Sequence, residues 1–137
     1  MYLLDTNVVS ELRKPRPHGG VLAWIDPISD RDLFLSALTL GELQAGVERT
    51  RLQDPPKAAL LDAWIDQIEG SCQIISLHAP ILREWARLMH RRSDDLIEDA
   101  MIAATARIHH LTVVTRNIRD FRIFDVPLLN PFTTHNR

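Results

Sequence analysis

The chain is short of several residue types, and each shortage excludes a class of site. Of its 137 residues only Cys72 is a cysteine. One thiol cannot close an intrachain disulfide or build a cysteine zinc site. Five glycines and eight prolines are too few for a low-complexity chain. The only lysines are Lys14 and Lys57. No apolar run approaches the roughly 18 residues of a membrane span, and Met1-Tyr2-Leu3-Leu4-Asp5 lacks the cationic start of a secretory leader. A cytoplasmic location without membrane contact is therefore expected. Sixteen basic residues against eighteen acidic ones leave a formal charge of −2. No general basic field awaits a polyanion, which must be held by local arginines or metal ions.

What is present suits one globular domain over 1–137, with 45% apolar and 25% charged residues. Short apolar runs alternate with stretches of helical period. Strands are expected at 2–4, 33–35, 73–75 and 111–114, the last being the clearest β-branched run. Helices are expected from Val8 to Leu12, from Val21 to Ile25, over 38–51, through Leu60, Leu61, Trp64, Ile65 and Ile68, from Ile81 to Met89, and over 96–109. Pro15, Pro17 and Pro27 interrupt the early helices, Pro55-Pro56 separates the middle pair, and Gly70 is expected to stop the fourth. Trp64 and Trp85 read as core. Strands alternating with helices predict an α/β fold, a parallel sheet covered on both faces.

Ligands of such a sheet sit outside the carboxyl ends of its strands. Two expected strands end there in polar residues: Leu3-Leu4 in Asp5-Thr6-Asn7, and Val113-Val114 in Thr115-Arg116-Asn117, with Asp120 one turn on. Asp5 alone reads first as a helix N-cap, and Asn117 and Asp120 as turn residues. Glu42 fits a capping box with Thr39, yet it shares a face with Ala45 and Gly46, small enough to admit other backbone. Asp95 and Glu98 read as cap and capping-box partner of the 96–109 helix. Asp99 falls outside that scheme and shares its face with Ile102, Ala103 and Ala106. The helix N-terminus contributes only about 0.3–1 kcal/mol to a carboxylate. That is too little to hold one among alanines without a counter-charge.

If the fold gathers these acids, they repel unless cations intervene. An all-oxygen set suits Mg²⁺ or Mn²⁺, and the adjacent His109-His110 read as a helix-end cation pair instead of a zinc site. Carboxylates holding such ions support water attack on a phosphodiester.

The segments Leu3-Leu4-Asp5-Thr6-Asn7-Val8-Val9-Ser10-Glu11-Leu12, Ser36-Ala37-Leu38-Thr39-Leu40-Gly41-Glu42-Leu43-Gln44-Ala45-Gly46, Glu98-Asp99-Ala100-Met101-Ile102-Ala103-Ala104-Thr105-Ala106 and Leu111-Thr112-Val113-Val114-Thr115-Arg116-Asn117-Ile118-Arg119-Asp120-Phe121 resemble, in order, the four motifs of PIN domains. The likeness is to VapC-type toxins of toxin–antitoxin pairs, and Val126-Pro127-Leu128-Leu129-Asn130-Pro131 is similar to their FitB-like branch. The resemblance implies a three-layer α/β/α sandwich with a short central parallel sheet. It implies a Mg²⁺- or Mn²⁺-dependent endoribonuclease acting on single-stranded RNA. By it Asp5 and Asp99 are core metal ligands and Glu42 completes the set or acts through water. Many relatives have Asp at the position of Asn117; here Asp120 supplies that carboxylate. Thr6 and Thr115 orient the acids. A homodimer and a small antitoxin with a basic tail are implied partners.

For RNA, Arg116 and Arg119, the Arg13-Lys14-Arg16 cluster and Arg91-Arg92 are candidate phosphate contacts, each equally a solvated face. A haloacid-dehalogenase-type phosphatase needs a second Asp two residues after the first, where this chain has Asn7, and a lysine at a later strand end. A phosphoacceptor receiver module lacks the same lysine. The remaining alternatives are a metal-dependent phosphohydrolase of another class and a non-catalytic PIN-like binding partner. Idle, crowded carboxylates argue against the latter.

Overall fold

Five short strands pair in parallel in the computed structural model, which describes residues 1–133; residues 134–137 of the expected domain lie outside the described residues. The strands are β1 (Tyr2–Leu4), β2 (Leu33–Ser36), β3 (Gln73–Ile75), β4 (Thr112–Val114) and β5 (Leu128–Leu129), in spatial order β3-β2-β1-β4-β5. The chain builds outward from β1 to β3 and then crosses back to lay β4 on the other side of β1. The order reverses between β1 and β4, where a cleft opens beyond the strand ends of such sheets. Tyr2 pairs with Thr112, Leu3 with Val113 and Leu4 with Val114. That register brings Asp5 and Thr115 out side by side.

Side chains alternate across the sheet. Leu3 and Val113 join one core with Ile81, Ala103, Phe121 and Phe124. Leu4 and Val114 face the other with Val8, Val21, Leu35 and Phe132. Against the first face lie α5 (Ala79–Met89), α6 (Ile97–His109) and α7 (Ile118–Phe121). Against the second lie α1 (Thr6–Arg13) and α2 (Gly19–Ile25), joined by the hairpin of α3 (Ala37–Arg51) and α4 (Pro55–Ser71). The result is the expected three-layer sandwich. The helix α6 sits deepest, with Ala100 and Ile102 to Ala106 buried. Among the described residues no helix is long and apolar enough to cross a membrane.

Several local expectations are corrected. Ser36 caps α3, its hydroxyl accepting the Leu38 N–H at 3.0 Å, so Thr39 and Glu42 form no capping box. A 3₁₀ turn, Asp94–Leu96, precedes α6 and is capped by Ser93; Asp95 and Glu98 form no box either. Gly70 does not stop α4, which continues to Ser71. The two-residue β5 was not expected, being too short for any alternation to show. His109 stacks on His78 at 5.4 Å between ring centroids, and burial lowers its pKa with help from His78 and His110. Such an imidazole favours its neutral form, not half of a cation pair.

Candidate active site

Asp5 leaves β1 in extended geometry and caps α1, its Oδ1 accepting the Thr6 N–H at 2.9 Å. Cap and site are one residue here. The other oxygen, Oδ2, accepts from the Thr115 hydroxyl at 2.8 Å and from Asn7 Nδ2 at 3.1 Å. The side chain is buried, and burial raises its pKa despite these three donors, with Asp120 repelling it further. Thr115 is wholly buried and also accepts the Asn117 N–H at 2.9 Å. It therefore ties the end of β1 to the end of β4.

Glu42 projects from the first turns of α3 onto the Thr6 hydroxyl, which donates to Oε1 at 2.7 Å. Thr6 also lies 3.3 Å from the hydroxyl of buried Thr39. The Glu42 pKa is pushed up to about 7, chiefly by burial, then by a hydrogen bond with Glu98 and the charges of Glu98 and Asp5. Asp99, in the first turn of α6, is pushed up to about 6 by burial and then by Asp5, Asp120 and Glu98.

Asp5, Glu42, Glu98 and Asp99 line one cavity of about 220 Å³ together with Thr6, Asn7, Ile102 and Asn117. None of these lining residues is basic. Asp120 does not line it, but its charge reaches both Asp5 and Asp99. Asn117 caps α7 without a side-chain hydrogen bond, leaving its amide for the cavity it lines. Among the described residues no three carboxylates, imidazoles or thiols are drawn together into a finished metal cage. Four acids on one opening, three of which (Asp5, Glu42 and Asp99) have raised pKa values, fit a hard divalent cation in chemistry.

Two residues of the site escaped the sequence reading. Glu98 was assigned to a capping box, but the 3₁₀ turn takes over the start of the helix and frees it to meet Glu42. Its adjacency to Asp99 was the available signal, since two acids about 100° apart in a first turn can share one opening. Asn7 follows Asp5 and Thr6 in a run of three good helix-capping residues, which gave it no role of its own; it holds Asp5 and accepts the Arg116 N–H at 3.2 Å. Arg116 itself lies over the Phe132 ring, 3.8 Å from its centroid, and not in the cavity. Gly46, expected to admit backbone, instead lines a second cavity.

The PIN domain family model matches residues 2–126. The chain belongs to the PIN domain family. Similar PIN proteins include Toxin FitB of Neisseria gonorrhoeae, 33% identical over 96% of this chain and 99% of that protein. VapC ribonuclease Y4jK of Sinorhizobium fredii is 37% identical over 96% of this chain and 98% of its own. Among solved structures, FitAcB from Neisseria gonorrhoeae matches with a TM-score of 0.85 and 35% identity, covering 97% of this chain and 99% of the other. All four motif segments of this PIN domain meet at the carboxyl edge of β1 and β4.

Proposed function

We propose that this PIN domain is the ribonuclease toxin of a toxin–antitoxin pair, hydrolysing phosphodiester bonds of single-stranded RNA with a divalent cation. The relatives named as VapC ribonuclease and Toxin FitB support the activity class. One observation carries the assignment of the site: four carboxylates share a cavity of about 220 Å³ beside a buried Asp5 that three donors orient.

Asp5 and Asp99 are the residues to hold the ion, with Glu42 alongside; Mg²⁺ or Mn²⁺ suits the all-oxygen donors. Such an ion, when bound, supplies a water nucleophile at neutral pH and offsets charge on the phosphate. Thr115, Asn7 and the Thr6 N–H fix the rotamer of Asp5, while the Thr6 hydroxyl fixes Glu42. Glu42, held by the Thr6 hydroxyl at 2.7 Å, completes the set around the ion or acts through a water. Asn117 and Asp120 are polar groups for the outer side of the site.

A small antitoxin is the expected partner; the related structures include FitAB bound to an IR36 DNA fragment. A homodimer acting in the cytoplasm completes the reading. The experiment is cleavage of a single-stranded RNA by purified protein with Mg²⁺ or Mn²⁺. Activity that EDTA abolishes and added metal restores is expected. Undiminished cleavage in EDTA, or none with either metal, would contradict the proposal.

A further inference from the structure

A second cavity, about 380 Å³, adjoins the acidic one and shares Thr6 and Glu42 with it. Two matching helical stripes form part of its walls, and Leu61, Trp64 and Ile65 of α4 close it. On α1 the stripe is Thr6, Ser10 and Arg13; on α3 it is Glu42, Gly46 and Arg49. In both, the spacing is i, i+4, i+7, which keeps each set on one face. Seven residues advance about 10 Å along a helix. Each wall therefore begins at the acidic pocket, passes a small residue, and ends about two turns away in an arginine.

Both arginines are exposed, and neither is in an ion pair among the described residues. Arg51, two positions on, differs: Glu48 and Asp62 engage it. A methyl group on Gly46 would stand 3.7 Å from Arg49 Nη2. The guanidinium thus lies back over Gly46 towards the acidic end, the direction in which long helical side chains lean. Trp64 contributes an aromatic surface to the same cavity.

Resting on the nuclease reading, we propose that this groove is the substrate subsite next to the cleavage point. Arg13 and Arg49 hold a neighbouring phosphate, and the intervening nucleoside passes Ser10, Gly46 and Trp64. Charge complementarity selects the occupant. The chain carries a net charge of −2, so two uncommitted guanidiniums at the far end of a groove whose one acid is Glu42 form a local site for a polyanion. They disfavour a basic peptide.

The test is steady-state cleavage of a short single-stranded RNA by the full chain over a range of salt concentrations. Arg13→Gln and Arg49→Gln are measured singly and together, with Arg83→Gln on α5 as the control and thermal unfolding as the check on folding. Each single variant should raise KM more than it lowers kcat. Each should also reduce the slope of log kcat/KM against log salt by about 0.7, the value for one contact to a single strand. Arg49→Lys, which keeps the charge, should retain the slope. Wild-type cleavage with KM and slope unchanged in the double variant would overturn the subsite and leave the nuclease reading standing. Loss of antitoxin binding in these variants with RNA kinetics unaltered would overturn it in favour of a protein groove. No cleavage by the wild type would remove the nuclease reading first, and the subsite with it.

Discussion

The hydroxyl of Thr115 donates to Asp5 Oδ2 at 2.8 Å across 110 residues of sequence. Parallel pairing of β1 with β4 brings the two together, and burial makes the bond matter. Thr115→Val keeps the shape and removes the donor. An unmet bond to a buried carboxylate costs about 1–3 kcal/mol. Denaturant midpoints should fall accordingly at pH 7, and metal affinity or activity should drop by roughly 10–100-fold. Unchanged activity in a folded Thr115→Val protein would mean that the orientation of Asp5 is irrelevant.

Asp5 and Asp99 respond oppositely to neutralisation in the absence of metal. Asp99 is repelled by Asp5, Asp120 and Glu98, so Asp99→Asn should raise the unfolding temperature in EDTA at pH 8. Asp5 accepts from two side-chain donors at one oxygen. An amide placed there meets a donor with a donor or gives up the cap, so Asp5→Asn should lower the unfolding temperature. Both variants should lose cleavage. Calorimetry beside the RNA assay separates the two effects.

The sign of the pH dependence follows from the raised carboxyl groups. Folded Glu42 holds its proton up to about 7 and Asp99 up to about 6, well above their values in an unfolded chain. Their contribution to stability is fully present below the unfolded carboxylate range near pH 4. It is lost as pH rises through about 6 to 7. In EDTA the urea midpoint attributable to this pocket should fall across that window. A saturating divalent ion should flatten the fall. A rising midpoint in EDTA that Asp99→Asn and Glu42→Gln leave intact would contradict the assignment.

Glu98 raises Glu42 through a shared hydrogen bond and charge. Glu98→Gln should therefore let Glu42 ionise at lower pH. In EDTA the pH range over which the urea midpoint falls should move downward in this variant, with the fold unaffected. An unmoved range would show that Glu98 does not hold the Glu42 proton.

The layers of the fold were legible because Leu3-Leu4 and Val113-Val114 are continuous apolar runs, as strands buried on both faces must be. Asp99 was legible because the apolar neighbours on its helix face demand a partner, whereas Asp5 read by itself as a helix N-cap at a strand end and was singled out by the motif resemblance. Glu98 and Asn7 were not, since local capping chemistry explains either residue equally well until the helix start is known. The roles of Gly46 and Arg49 lay further out of reach. They depend on α1 and α3 lying side by side, a relation between segments that no single helical pattern contains.

The central claim is that Asp5, Glu42 and Asp99 are drawn together by a hard cation. Anomalous diffraction from crystals soaked in Mn²⁺ tests it most directly. The account predicts a Mn²⁺ peak within the acidic cavity, in contact with carboxylate oxygens of Asp5 and Asp99. A cavity without Mn²⁺ at a concentration that supports RNA cleavage would contradict it.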